Sequence, residues 1–325
     1  MAYAVGELID ERYRVLGVLG KGAHGVVYAA EDETLGSRVA IKCLNADLSA
    51  EGTFKLRMHR EARVMGKLSG TSATQIFAFN KAQDGGLYIV MELLAGRDFE
   101  AYLREIEGFG AHIGLERLIG LLNPIASTLD VAHGHGIIHR DLKPGNIFVL
   151  DSMDRGGVRL LDFGLAKDLK AQALTAEGMI AGSPGYIAPE VWRGRVNEID
   201  HRLDVYSLGC VVFRALTGKP PFDPHQPLDR LLIAVTRGER PSLIKARPDL
   251  SPALDQWNAK ALAISPDDRF PSVGKMWSSL RALAAMPAPK APAVAPDSAP
   301  WNVEIDVDID IEVESIRSGK LPPRR

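Results

Sequence analysis

The chain has 325 residues, of which 46% are hydrophobic and 25% are charged, and its formal net charge is −2. These values are typical of a soluble globular protein with one large domain or two. The near balance of acidic and basic residues argues against a dedicated nucleic-acid binder, which would carry a strong basic excess.

Neither the cysteines nor the apolar runs indicate an extracellular or membrane protein. Cys43 and Cys210 form no Cys-x-x-Cys pair, so we expect neither a disulfide framework nor a zinc ribbon. The N-terminus has no signal-peptide pattern, and no apolar run approaches the roughly 18 residues that a spanning helix needs. We therefore expect a cytoplasmic protein without a membrane span.

The pattern of apolar residues changes character near residue 95. Before it, residues 15–43 predict strand–turn–strand–turn–strand, residues 54–68 a helix, and residues 87–93 a further strand. After Gly96, helical periodicity predicts helices over residues 99–107, 115–133, 205–217, 228–237 and 254–263. We therefore predict an α+β chain of two lobes: a small antiparallel β-sheet lobe with one main helix, then a larger, mainly helical lobe.

Beyond the predicted lobes the composition changes again. Residues 286–302 are rich in Pro and Ala, which indicates an extended linker. Residues 303–314 alternate strictly between apolar and acidic residues, which is a strand pattern, and a basic segment follows. Adjacent carboxylates repel, so residues 303–325 are interpreted as a flexible tail or as an edge strand that docks on this chain or a partner.

A glycine-rich loop near the N-terminus indicates phosphate binding. Gly20, Gly22 and Gly25 follow the pattern G-x-G-x-x-G-x-V, and glycines let a backbone lie close over phosphates. A dinucleotide-binding fold uses the same glycines but continues into a helix. Here Val26 and Val27 favour a strand, so we interpret the loop as a hairpin that covers a nucleotide.

Five polar residues further along could act on those phosphates. Lys42 ends an apolar strand, and Glu61 is its candidate partner, although a lysine at a strand end often serves only to solvate it. Asn146 precedes one short apolar run and Asp162 follows the next, which suits the oxygen ligands that Mg²⁺ prefers. Asp141 could accept a hydroxyl proton, whereas alone it would be interpreted as a turn cap. The order and spacing of all the motifs favour the chemical interpretation.

With these motifs the chain resembles a eukaryotic-like serine/threonine protein kinase of the bacterial type. The resemblance implies a lead-in over residues 1–12 and a kinase domain over residues 13–285, with lobes at about 13–92 and 96–285. It is carried by the glycine loop, Lys42, Glu61, the HRDLKPGN loop that begins at His139, the DFG segment that begins at Asp162, residues 188–190 (Ala-Pro-Glu), residues 204–209 and Arg269.

The resemblance implies roles for these residues and the use of ATP with Mg²⁺, for which Mn²⁺ could substitute. Asp141 and Lys143 would act at the hydroxyl and the γ-phosphate, Lys42 with Glu61 would hold the other phosphates, and Asn146 and Asp162 would bind the metal. ATP would also contact Leu19, Gly20, Lys21, Gly22, Ala23, His24, Gly25, Val27, Ala40, Met91, Glu92 and Leu94. Structural support would come from His139, Arg140, Phe163, Asp204 and the pair Glu190–Arg269.

Regulation is implied by the same resemblance. Arg140 precedes the proton-accepting aspartate, a position that the family links to activation-loop phosphorylation. Thr175 is the first candidate for that phosphate, although an exposed loop threonine need have no role. Ser183 stands where these kinases usually have threonine and keeps the hydroxyl.

Three functions compete. The favoured one is a protein kinase in signalling that phosphorylates Ser/Thr residues of protein substrates, including its own activation loop. The alternative is a kinase-fold pseudoenzyme that acts as a nucleotide-dependent binding or scaffold module, against which Lys42, Asp141 and Asp162 all argue. A small-molecule phosphotransferase is the third candidate. It is less favoured because such enzymes usually lack the segment that this chain has over residues 182–190.

Overall fold

The computed structural model describes residues 3–22, 25–44, 66–82, 85–163, 184–195 and 198–286. The first strands of this part form an antiparallel sheet in the order β1-β2-β3-β4-β6-β5. They are β1 (Leu8–Ile9), β2 (Tyr13–Gly22), β3 (Gly25–Asp32), β4 (Ser37–Leu44), β5 (Ile76–Lys81) and β6 (Leu87–Glu92).

One face of this sheet forms its core. Because strand side chains alternate between faces, every second residue of β2 near Tyr13 and of β3 near Tyr28 is buried there. The β1–β2 turn is formed by Asp10 and Glu11, both with positive φ (53° and 55°). Tyr88 on β6 donates a hydrogen bond to Asp10 Oδ2 at 2.6 Å, which secures the turn to the sheet.

The second lobe is mainly helical. Its helices are α1 (Phe99–Gly108), α2 (Leu115–Gly134), α3 (Pro189–Trp192), α4 (Arg202–Thr217), α5 (Leu228–Arg237), α6 (Leu243–Ala246), α7 (Ala253–Ala261) and α8 (Val273–Ala284). Short 3-10 turns occur at Gly66–Leu68, Pro144–Asn146, Asp154–Gly157, Pro184–Tyr186 and Pro266–Asp268. A second antiparallel sheet has the strand order β7-β8-β9, with β7 (Gly96–Asp98) before α1 and with β8 (Ile147–Leu150) and β9 (Val158–Leu160) after α2.

Local sequence explains where several helices begin and end. The Asp98 carboxylate accepts a hydrogen bond from Ala101 N at 2.8 Å and caps α1, and Ser272 caps α8 in the same way. Gly218 ends α4 in the left-handed conformation, with φ of 77°. Helix α4 is buried on all sides from residue 203 to residue 216, so it is the centre around which the other helices pack.

The predicted elements agree with this architecture in most of the chain. Residues 228–237 form the predicted helix, while α4 begins at Arg202, three residues before the predicted start. The continuous apolar pattern starts only at residue 205, because Arg202 and Asp204 interrupt the first turn. The predicted helix over residues 54–68 lies outside the described residues except for its last turn, which is 3-10. Elements of two to four residues, such as β1 and α3, are too short to show a period.

Candidate active site

The glycine loop joins β2 to β3, and the register of the sheet aligns it with other predicted ATP contacts. Gly20 pairs with Val27, Val27 with Lys42, and Ala40 with Met91 across adjacent strands. Gly25 has φ of 145°, and a Cβ built there would lie 1.9 Å from Cys43 O, so only glycine fits. The four residues from Leu19 to Gly22 are exposed, whereas Gly25 is buried. The sheet therefore presents these residues in two neighbouring rows, Gly20–Val27–Lys42 and Ala40–Met91, because Lys42 and Ala40 are two residues apart on β4.

Lys42 is paired with the aspartate of the DFG segment. Its Nζ lies 2.6 Å from Asp162 Oδ1, and the lysine side chain is 14% exposed, whereas that of Asp162 is 46% exposed. Asp162 has a positive φ of 47°, a backbone conformation that non-glycine residues adopt rarely. The structure thus brings a cation predicted to bind phosphate to a predicted metal ligand.

The loop between α2 and β8 gathers three of the predicted residues. Asp141 Oδ2 lies 3.2 Å from Lys143 Nζ and accepts a hydrogen bond of 2.9 Å from Asn146 Nδ2. The same Asn146 nitrogen donates to Asp141 O at 2.7 Å. Asn146 O accepts from Leu161 N at 2.8 Å, and this contact places the loop next to Asp162. A carboxylate, an ammonium and an amide are therefore held together by a turn of Pro144–Asn146.

A buried hydrogen-bond network holds the backbone of this loop in place. Asp204, which is fully buried at the start of α4, accepts hydrogen bonds from His139 N at 2.8 Å and Arg140 N at 3.0 Å. His133 Nε2 completes its shell at 2.7 Å. Burial alone would raise the pKa of Asp204, but the hydrogen bonds from His133 and from the His139 backbone lower it below its ordinary value. The backbone of the loop is therefore fixed by one ionised carboxylate.

The His139 ring lies under the loop with no exposed surface. Its Nε2 is 2.8 Å from Leu161 O, its Nδ1 accepts from Asp141 N at 3.3 Å, and its ring meets the edge of Phe163 with centroids 4.8 Å apart. Burial lowers the pKa of His139, which is consistent with a neutral ring that donates through one nitrogen and accepts through the other. The ring thus connects the Asp141 loop to the DFG segment.

The pair Glu190–Arg269 braces the helical lobe. The guanidinium donates to both carboxylate oxygens, at 2.8 Å and 2.6 Å, and the two side chains are 1% and 0% exposed. Glu190 lies on α3 and Arg269 follows the 3-10 turn at Pro266–Asp268. A bidentate pair of this kind joins two segments far apart in the chain.

The hinge between β6 and β7 has a support that the sequence did not indicate. Arg159, in the middle of β9 and 2% exposed, donates through Nε to Glu92 Oε1 at 3.2 Å. Glu92 Oε1 also accepts from Gln75 N at 2.7 Å, and Glu92 N donates to Gln75 O at 2.9 Å. The only sequence signal was an arginine between two apolar residues of a short strand. Glu92, a predicted ATP contact, is therefore bound through its side chain to both lobes.

Arg140 contributes an unusual backbone and a buried guanidinium nitrogen. Its φ is 66°, and its Nε is buried with no hydrogen-bond partner among the described residues.

His133 was not assigned to the site from the sequence. His133 lies at the end of α2 and is 71 residues before Asp204 in the chain, so only the fold reveals the contact between them.

Several predicted residues and segments cannot be placed. The described part of the chain does not include Ala23, His24, Glu61, Thr175, Ser183 or residues 287–325. The pairing of Lys42 with Glu61, the phosphorylation site and the roles of the linker and tail therefore stay predictions.

This arrangement of a glycine hairpin, a lysine–aspartate pair and an aspartate loop agrees with a comparison of sequences. A family model described as the protein kinase domain matches residues 13–274. The chain belongs to the protein kinase family. Its relatives are bacterial serine/threonine kinases, as the resemblance predicted.

Two curated relatives illustrate the extent of the similarity. The serine/threonine-protein kinase pkn3 of Myxococcus xanthus is 34% identical over 86% of this chain and 51% of the relative. The serine/threonine-protein kinase PknB of Mycolicibacterium smegmatis is 35% identical over 89% of this chain and 46% of the relative. The chain thus spans about half the length of these relatives.

A solved structure shows the same fold. The crystal structure of the Mycobacterium tuberculosis PknI kinase domain is similar with a TM-score of 0.66 at 28% identity, covering 87% of this chain and 100% of that domain. The predicted two-lobed kinase fold is therefore confirmed. In the described part of this kinase-family chain, no helix is both long and apolar enough to cross a bilayer.

Proposed function

We propose that this member of the protein kinase family transfers the γ-phosphoryl group of ATP to serine or threonine hydroxyls of proteins. The observation that carries the proposal is the cluster of Asp141, Lys143 and Asn146, adjacent through Leu161 to the Lys42–Asp162 ion pair. Phosphoryl transfer depends mainly on positioning and on charge stabilisation. The Asp141 carboxylate can position the acceptor hydroxyl, and the ammonium groups of Lys143 and Lys42 can stabilise the charge of the phosphates.

In the proposed reaction the acceptor oxygen bonds to the γ-phosphorus while the bond from that phosphorus to the β–γ bridging oxygen breaks. The hydroxyl proton passes to the Asp141 carboxylate, and ADP is the leaving group. Lys143, held 3.2 Å from Asp141, lies where it can neutralise charge that develops on the transferred group. Lys42 would bind the remaining phosphate oxygens.

The residues at the ends of β8 and β9 fit a magnesium ion. Asn146 uses its amide nitrogen for both described hydrogen bonds, so its amide oxygen can serve as a ligand. Asp162 exposes nearly half of its carboxylate side chain. Both are hard oxygen donors, the type that Mg²⁺ requires, and Mn²⁺ accepts the same set. When bound, the ion supplies positive charge that neutralises the phosphates, while Asn146 and Asp162 hold it.

The hinge supplies a place for adenine. The backbone carbonyl of Glu92 and the backbone N–H of Leu94 would hydrogen-bond the base edge, with Met91 behind it. Leu19, on β2, and Ala40, on β4, would cover its faces. The ion pair of Glu92 with Arg159 supports this role, since it restrains the backbone that would meet the base.

We also propose that the chain phosphorylates itself and that this phosphate regulates its activity, with Thr175 as the first candidate site. Arg140 supports this proposal because its buried Nε has no partner in the described residues. A phosphate brings three acceptor oxygens and about two negative charges, which a guanidinium binds strongly.

The test is transfer of radiolabelled phosphate from ATP with Mg²⁺ to the purified chain and to a generic protein substrate. Loss of a positioned general base typically costs 10²–10⁴-fold, so Asp141→Asn should lower the rate by at least about 100-fold. The matched control is Asp229→Asn, an exposed aspartate on α5, which should leave the rate unchanged.

Mass spectrometry of the labelled chain locates the sites. Phosphate on Thr175 or its neighbours, absent from the Asp141→Asn variant, would support both the kinase and its self-modification. Measurable ATP binding without transfer to any substrate would contradict the proposal and favour the pseudoenzyme alternative.

A further inference from the structure

A large groove runs beside the proposed catalytic loop. Its volume is about 990 Å³, and it is bounded on one side by Lys143, Gly145 and the turn at Pro184–Tyr186. The other side is formed by α1 and by the segment that follows α4. A polypeptide that presents a hydroxyl to Asp141 would lie in this groove, so the charge of its walls bears on which substrates are accepted.

Two carboxylates of α1 face the groove. Glu100 and Glu107 are seven residues apart, two helical turns, and therefore lie on the same face of the helix. Each exposes about a quarter of its side chain, 25% for Glu100 and 24% for Glu107. Without a compensating cation, such a pair would strongly attract lysine or arginine residues of a substrate.

Arg214 of α4 lies between these two carboxylates. Its Nη2 is 2.8 Å from Glu100 Oε1 and 3.2 Å from Glu107 Oε2, and its Nη1 donates to the other oxygen of Glu107. The Arg214 side chain is only 5% exposed, so its charge is directed to the carboxylates rather than to water. Arg104 adds a second cation to Glu100 at 3.2 Å.

The remaining described charges of the groove give no net attraction for cations. Asp223 accepts a hydrogen bond from the backbone N–H of His225 in its own turn. Lys219 is exposed at the rim. Among the described lining residues, the basic side chains Arg104, Lys143, Arg214 and Lys219 outnumber the acidic side chains Glu100, Glu107 and Asp223.

We propose that Arg214 is a positioning residue for substrate specificity: by offsetting, together with Arg104, the charges of Glu100 and Glu107, it makes the groove select Ser/Thr sites with neutral or acidic flanks and disfavour basic ones. This inference rests on the proposed kinase activity. Specificity is a difference between affinities, and an existing cation acts against a basic substrate by repulsion as well as by removing attraction.

The experiment compares three peptides that differ only in the two residues on each side of a single serine: alanine, glutamate or lysine. We measure kcat/KM for each peptide with the whole chain. The wild type should use the alanine and glutamate peptides at least about 10-fold better than the lysine peptide. Arg214→Met removes the cation at similar length, so the lysine-to-glutamate ratio should rise at least about 10-fold.

Two further variants separate specificity from folding. Glu107→Gln leaves an excess of positive charge, so the lysine-to-glutamate ratio should fall. The double variant Arg214→Met with Glu107→Gln removes one charge of each sign and restores the net charge of the wall, so its ratio should return toward that of the wild type. A structural defect alone would lower kcat/KM for all three peptides by the same factor.

The matched control is Arg195→Met, which breaks an exposed ion pair with Glu198 and should leave the ratios unchanged. A wild type that prefers the lysine peptide, or equal ratios in the wild type, Arg214→Met and Glu107→Gln, would overturn the inference while leaving the kinase proposal intact. No transfer to any peptide or protein would overturn the proposed function itself, and the specificity inference with it.

Discussion

Replacement of Arg269 by methionine should destabilise the helical lobe by about 3–5 kcal/mol, the usual cost of removing one partner of a buried ion pair. The Arg269 side chain has no exposed surface, and its two bonds to Glu190 are 2.8 Å and 2.6 Å long. The variant would leave the Glu190 carboxylate buried without its cation. It would also remove the donor for the carbonyls of Ala263 and Arg202, which now lie 2.9 Å and 3.0 Å from the guanidinium.

Urea unfolding followed by tryptophan fluorescence measures this change. Trp192, Trp257 and Trp277 are all buried in the helical lobe, at 7%, 3% and 4% exposure, so their signal reports on that lobe. The midpoint should fall while the slope stays the same, because the surface exposed on unfolding does not change.

Two comparisons define what would refute the reasoning. Arg195→Met breaks the exposed pair with Glu198 and should cost no more than about 1 kcal/mol. Replacing both partners, Arg269→Met with Glu190→Leu, should recover much of the loss, because no uncompensated charge then stays buried. A loss below about 1 kcal/mol for Arg269→Met, equal to that of Arg195→Met, would show that burial does not set the cost.

Three further outcomes are expected. Arg159→Met should raise the KM for ATP about 10-fold, which corresponds to about 1.4 kcal/mol, and leave kcat nearly unchanged. The reason is that the hinge loses the ion pair between Arg159 and Glu92. Equal losses in kcat and kcat/KM would contradict this. Glu11→Gly should raise the free energy of unfolding by about 0.5–1 kcal/mol, and with it the urea midpoint, since glycine adopts the positive φ of 55° without strain; an unchanged or lower midpoint would refute it. The pKa of His139 is lowered by burial, so the unfolded chain binds its proton first and stability should fall by up to about 1.4 kcal/mol per pH unit below about pH 6.5; His139→Tyr should flatten that slope between pH 7 and 5, and an unaltered slope would contradict the assignment.

The clustering of the candidate site residues could be predicted from the sequence because its motifs are local. Asp141, Lys143 and Asn146 lie within six consecutive residues, and a 3-10 turn beginning at Pro144 is enough to bring them together. The glycine loop was equally readable, since strand-forming valines follow it directly. The predicted pairing of Glu190 with Arg269 came from the family resemblance, and spacing alone would not have suggested it.

The supporting contacts depended on the tertiary structure. Glu92 and Arg159 are 67 residues apart, His133 and Asp204 are 71 apart, and Glu107 and Arg214 are 107 apart. No periodicity connects such positions, because they meet only when separate helices and strands pack.

The sequence by itself thus determined the order of elements and the two lobes, and it predicted the residues of the chemistry, because hydrophobic periodicity and motif spacing are properties of neighbouring residues. Only the fold decided which charged residues form ion pairs with each other. Arg214 pairs with two glutamates of α1, and Arg159 pairs with Glu92 at the hinge, because burial between packed elements brings each guanidinium within hydrogen-bond distance of a carboxylate and away from water.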